Sequence, residues 1–156
     1  FYNKARLAAV TRDALFLGIS VVKPGVKLST IGRTIHEYAE KQGYSVVREY
    51  SGHGIGTAFH EGPRVLHYDD KSSVVLRDGM TLTIEPMLNE FGAEIVTDRD
   101  QWTVRTRDGG MSAQWEHTVL VTSDGFEILT LRDGEEWPER VLEMLQQGDN
   151  IDQKVV

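Results

Sequence analysis

Two helix-patterned segments open this chain, and from residue 44 to residue 131 it continues as short segments that alternate apolar with polar residues between turns. That order constrains the fold more than any average of composition. Helices first and antiparallel strands afterwards give an α+β protein, an antiparallel sheet with helices packed on one face. The first helix is expected from near Tyr2 to Ser20, with Leu7, Val10, Leu15 and Ile19 at helical spacing. Lys23-Pro24-Gly25 is a turn. Ser29 or Thr30 caps a second helix, "TIGRTIHEYAEKQ", which Gly43 stops. "YSVVREY" and "RVLHY" read as extended and "GMTLTIEPML" as one strand, while "AEIVTD" with "QWTVRTRD" reads as a hairpin. "AQWEHTVLVT" and "FEILTL" form another hairpin around Ser123-Asp124-Gly125. A last helix, "WPERVLEMLQQ", carries Pro138 near its first turn, and "GDNIDQKVV" is a polar, frayed tail.

A chain of 156 residues suffices for one domain with a real core. Its net charge of −7 argues against binding nucleic acid, which needs a cationic face. With no Cys, disulfides and thiolate-held metals are excluded. No apolar run is long enough for a membrane helix and no signal segment opens the chain, so the expected location is the cytoplasm, without membrane contact. The sequence starts at Phe1, without an initiator Met and at the edge of a helix. A piece of a longer chain is expected; tag removal or N-terminal processing would look the same.

The stretch "SGHGIGTAFHEGPRVLHYDD" sets His53, His60 and His67 seven residues apart, with Gly52, Gly54 and Gly56 around the first. Glycines there mean unusual backbone angles or close approach by something else. Each histidine taken singly reads as a buried, hydrogen-bonded residue. Two other stretches change the balance. Glu85 interrupts the apolar "MTLTIEPML", and Glu116 stands before the apolar run of "AQWEHTVLV". Such a carboxylate is expensive unless it faces water or has a partner. Alternation puts Glu85 on one face with Thr83, so a water-facing polar side of the sheet is the competing reading. Taken together, one imidazole and two carboxylates suit Mn, Fe, Co or Zn. An ion there would make water a nucleophile, with His60 free to polarise or protonate a substrate.

"EYSGHGIGTAFHEGPRVLHY", "GMTLTIEPM", "QWTVRTRD" and "SAQWEHTVLVT", in this order and spacing, resemble the methionine aminopeptidases of the bacterial type I kind. "VKPGVKL" fits as well, and the resemblance runs from Ala5 to about Leu131. It implies the pita-bread fold, two pseudo-symmetric halves around a site holding two divalent ions, with two Asp, one His and two Glu as ligands. By motif the ligands here are His53, Glu85 and Glu116. The resemblance makes His60 the residue that contacts the scissile amide and stabilises the tetrahedral intermediate. Phe59 and Trp102 match aromatic positions of the methionine pocket. Glu85 is expected to double as the proton carrier for the attacking water. The implied substrate is the N-terminal methionine of nascent peptides. His67 and His117 have no implied catalytic role and read as structural, and His36 as peripheral. Ser51 stands where relatives often have Cys, and Trp115 where a smaller aromatic is common.

The family's two aspartates precede the first helix, and nothing of that kind stands before Phe1; Asp69, Asp70 and Asp78 lie in the wrong place to replace them. Residues 1–156 are therefore expected to be one incomplete catalytic domain, able to hold at most one ion well and poorly active alone. Self-association or a complementing N-terminal segment would cover the exposed sheet. Two alternatives stay open. One is a non-catalytic half that binds peptide or a partner chain. The other is an Xaa-Pro aminopeptidase or prolidase relative, against which "QWEHT" with "IEPM" argues.

Overall fold

The computed structural model describes residues 2–148; the polar tail expected beyond Gly148 lies outside the described residues. Helix α1 (Tyr2–Ser20) is followed by α2 (Leu28–Lys41). Strands follow as β1 (Ser45–Val46), β2 (Gly52–Gly54), β3 (Glu61–Val65), β4 (Thr81–Ile84), β5 (Met87–Asn89), β6 (Ile95–Thr97) and β7 (Val104–Thr106). Then come β8 (Ser112–Gln114), β9 (His117–Val121), β10 (Phe126–Ile128) and the closing helix α3 (Glu139–Gln146). All the strand pairs are antiparallel. The expected sheet is divided in three: β10-β9-β4-β2-β3, β1-β5-β8, and the hairpin β6-β7. The two segments expected as single strands, "GMTLTIEPML" and "AQWEHTVLVT", each break in the middle and pass from one sheet to another.

Helix α1 has more to bury than its four spaced residues indicate. From Asp13 to Ile19 every residue is buried, and α2, α3, β4, β5 and β8 all pack against the helix. Gly18 makes room for α2: a Cβ there would lie 2.7 Å from Cδ1 of Ile35. Leu15, Phe16 and Ile19 meet Ile31 and Ile35 of α2 and Leu82, Ile84, Val119 and Val121 of the five-stranded sheet in one core. The helix α2 starts at Leu28, and neither Ser29 nor Thr30 caps it. The segment at 72–74 pairs with this end of the helix instead. Leu28 N–H donates to the Val74 carbonyl at 2.8 Å, and the Ser29 hydroxyl to the Ser72 carbonyl. Gly43, at φ +82°, ends α2 as expected.

One polar pair crosses this core. The Tyr38 hydroxyl donates to Asp13 Oδ2 at 2.9 Å, with Tyr38 2% and Asp13 7% exposed. Burial raises the Asp13 carboxyl above its usual range, against the pull of the Tyr38 hydrogen bond and of Arg140 and Arg12. Tyr38→Phe strips the carboxyl of that donor. The expected loss is about 1–3 kcal/mol in urea unfolding, the cost of a buried polar group left unpaired. An unchanged midpoint would mean that water replaces the hydroxyl.

Candidate metal centre

Glycines bring the strands of the site close together. A Cβ on Gly52 would run into the Thr83 carbonyl oxygen, and one on Gly54 into the Gly62 carbonyl oxygen. Neither glycine has a positive φ, so close approach rather than unusual backbone angle is what requires them. Between them His53 faces β4. Its N–H donates to Thr83 Oγ1 at 3.0 Å, and that hydroxyl donates to Glu85 Oε1 at 2.8 Å. The ring Nδ1 donates to the Gly54 carbonyl at 2.9 Å, which fixes the ring with Nε2 turned toward β4. Nε2 stands 3.6 Å from Glu85 Oε1.

Glu85 and Glu116 occupy matching gaps. Each sits where the chain leaves one sheet for the other, Glu85 between β4 and β5 and Glu116 between β8 and β9. On one side of the gaps Ile84 pairs with His117, and on the other Met87 pairs with Gln114. Carried through, the same register sets Glu85 opposite Glu116. Like charges facing across strands repel. The Glu85 carboxyl is accordingly held above its usual range, first by burial and then by Glu116, despite the Thr83 hydroxyl and the pull of His53 and His60.

The water-facing reading of this strand does not hold. Thr83 is buried at 2% exposure and the Glu85 side chain is only 15% exposed. Thr83 does share the face of Glu85, as alternation requires. His60 is exposed and stands edge-on to His53, ring centroids 4.2 Å apart. Phe59, 71% exposed, packs edge-on against His60 at 4.6 Å. Trp102 is 87% exposed on the turn between β6 and β7, where Asp100 accepts its N–H, and it makes no ring contact with Phe59, His53 or His60 among the described residues. Glu116 is exposed. Among the described residues no three His, Asp or Glu side chains are grouped closely enough to hold an ion as they stand.

The donor chemistry nevertheless fits a divalent ion. Two ligands each about 2.1 Å from one tetrahedral ion stand about 3.4 Å apart. His53 Nε2 and Glu85 Oε1 are 3.6 Å apart, close to that spacing. Three supporting residues escaped motif reasoning. Thr83 joins the backbone of one candidate ligand to the carboxylate of the other. Gln114 Nε2 donates to Glu85 Oε2 at 3.4 Å. His67, 2% exposed, accepts the Glu85 N–H on Nε2 at 3.1 Å. Burial drives the His67 imidazole down to about 3, so it is neutral and keeps that acceptor. The sequence signal for Thr83 was its parity with Glu85; for His67 there was only its place in the loop.

A five-stranded antiparallel sheet backed by two long helices carries His53 on β2, and Glu85 and Glu116 face each other where its strands β4 and β9 end. Residues 2–123 match the model of metallopeptidase family M24, and the chain belongs to that family. The methionine aminopeptidase of Salmonella typhimurium is 59% identical over 134 residues, which are 85% of this chain and 51% of that protein. The crystal structure of methionine aminopeptidase from Rickettsia prowazekii superposes with a TM-score of 0.82 at 50% identity, covering 84% of this chain and 54% of that one. Prolidase from Pyrococcus furiosus has the fold too, at a TM-score of 0.62 and 26% identity. The fold is thus the pita-bread fold of these enzymes, in part: the chain spans about half the length of the curated relatives it matches.

Proposed function

We propose that this chain is the metal-holding half of a methionine aminopeptidase, which removes the N-terminal methionine of nascent peptides in the cytoplasm. On this reading residues 1–156 are one incomplete catalytic domain, and His53, Glu85 and Glu116 are its ligands for Co, Mn, Fe or Zn. The observation that carries it is the register: Glu85 opposite Glu116, with His53 Nε2 3.6 Å from Glu85. Two facing carboxylates beside an imidazole nitrogen are a donor set for a divalent cation. The high identity to methionine aminopeptidases against 26% for the prolidase favours methionine over Xaa-Pro substrates.

A bound divalent ion supplies a water that ionises near neutral pH and a positive charge for the scissile carbonyl. The chain's own residues do the rest. Glu85, its carboxyl raised toward neutrality, is suited to take a proton from the attacking water and pass it to the leaving amine. His60 stands exposed beside His53, placed to donate a hydrogen bond to the substrate carbonyl. Phe59 offers an apolar ring to the methionine thioether. Trp102 belongs to the same pocket on the strength of the family resemblance.

Three ligands hold one ion with open positions. A segment bearing the two aspartates of the family's ligand set completes the centre for a second ion, either as part of a longer chain or in trans. The deciding experiment measures methionine release from a Met-Ala-Ser peptide with Co or Mn present. The 156-residue chain alone is expected to release little or none, since each missing ligand or pocket wall forfeits several kcal/mol and about 1.4 kcal/mol is already tenfold in rate. Adding the N-terminal half of a relative in trans is expected to restore part of it, and Glu116→Ala to remove it again. Robust release by the chain alone, abolished by Glu116→Ala, would show that the aspartates are dispensable. Preference for an Xaa-Pro peptide would move the chain to the prolidase branch.

A further inference from the structure

The segment between β10 and α3 lies past the family-model match, and it brings a nearly buried carboxylate up behind Glu116. The Glu135 side chain is 8% exposed. Its Oε1 stands 3.4 Å from His117 Nε2 and 4.0 Å from Arg12 Nε, and its Oε2 accepts from Arg132 Nε at 2.9 Å. His117, whose side chain is 1% exposed, is the first residue of β9 and follows Glu116 directly. On its other side Nδ1 is 2.9 Å from Thr130 Oγ1, and the same hydroxyl oxygen accepts the Thr118 N–H at 2.9 Å. The residue before Glu116 is clamped as well. Arg12 and Arg132 lie over the Trp115 ring, their guanidinium carbons 5.6 Å and 5.3 Å from its centroid.

These contacts assign the His117 proton. Thr130 already accepts from Thr118, so its own hydrogen is free to go to Nδ1. Nε2 makes no aligned hydrogen bond, and the polar atom the structure sets beside it is the Glu135 oxygen. A bare lone pair aimed at a carboxylate would repel it, so the proton sits on Nε2. A carboxylate buried this far persists only with partners. Burial alone would raise the Glu135 carboxyl, but the hydrogen bonds from Arg132, with His117 beside it, bring it below the usual range.

We propose that Glu135 is a positioning residue for the metal centre: together with Arg12 and Arg132 it locks Trp115 and His117, the two residues flanking Glu116, and so holds the Glu116 carboxylate opposite Glu85. This rests on Glu116 being a metal ligand. Glu116 itself is exposed, so its direction is set by its clamped neighbours rather than by its own contacts. Glu135 touches neither substrate nor ion; it acts through His117.

The test uses the whole 156-residue chain labelled with 15N, with Mn2+ alone as the probe. Nitrogen shifts of the imidazoles report the His117 tautomer, and calorimetry reports Mn2+ affinity for wild type, Glu135→Gln, Glu135→Ala and Glu116→Ala, with the exposed Glu127→Gln as control. Wild type is expected to show His117 protonated on Nε2, and Glu135→Ala to lose that preference. Glu135→Gln, close in shape and thus least disturbing to the fold, is expected to weaken Mn2+ binding about tenfold, the lower end of what a ligand's supporting partner is worth. Circular dichroism checks that the variants are folded. A merely structural role would leave the affinity of the folded fraction unchanged. The proposal is overturned if His117 carries its proton on Nδ1 alone. It is also overturned if Glu135→Gln binds Mn2+ like wild type while Glu116→Ala does not. Should Glu116→Ala bind like wild type, the ligand assignment itself falls and takes the proposal with it.

Discussion

Glu85→Gln is expected to lower Mn2+ affinity of this chain by at least about a hundredfold, beyond the range of a supporting residue. In a completed enzyme it is expected to cut kcat by about 10²–10⁴. The amide keeps the shape and still accepts from Thr83, but it offers the ion a neutral oxygen and cannot carry a proton. It also leaves Glu116 without a charged neighbour to repel, so the folded protein should be no less stable. Calorimetry with Mn2+, urea unfolding and methionine release separate these effects. A variant that keeps both metal and turnover would remove Glu85 from the chemistry. One that keeps metal and loses turnover would leave it as proton carrier alone.

Acid is expected to destabilise the protein through His67. Its imidazole sits at about 3 in the folded state because burial opposes charge, against an ordinary value of 6.5. A histidine depressed on folding contributes stability that is complete above the ordinary value and is lost as pH falls toward the folded one. The window is therefore about pH 6.5 down to about pH 3. At about 1.4 kcal/mol per unit the full swing is on the order of 4–5 kcal/mol, and about 2 kcal/mol of it is lost by pH 5. Carboxylates titrate in the same range, so the comparison is with His67→Gln, whose side-chain carbonyl can accept the Glu85 N–H without titrating. Wild type should lose about 2 kcal/mol more than His67→Gln between pH 7 and pH 5 in urea unfolding. Equal losses would show that acid reaches His67 without opening the fold. Because the accepted N–H belongs to Glu85, acid should disorder the candidate centre first.

Local signals located the helices, though not the cap of α2. Apolar spacing and the stop at Gly43 place α1 and α2, and Pro138 marks the start of α3 within a residue. The turn at Ser123-Asp124-Gly125 is where β9 and β10 reverse. His53, Glu85 and Glu116 stood out because each puts a costly side chain into apolar or glycine-rich surroundings, and that cost is a property of the sequence itself.

Where the strands break belongs to the tertiary structure. "TLTIEP" alternates and "ML" continues it as apolar, yet β4 and β5 lie in different sheets, since Pro86 has no N–H for a ladder and Glu85 gives its own to His67. The same holds for Trp115 and Glu116 between β8 and β9, where the partner strands rather than local propensity set the crossing. Only the register of four strands sets Glu85 against Glu116, and only packing brings His67 to the Glu85 N–H and Glu135 to His117. Residue types and their local order singled out the candidate groups. Long-range pairing decided which of them meet, because a hydrogen-bonded ladder fixes partners dozens of residues apart that no local pattern encodes.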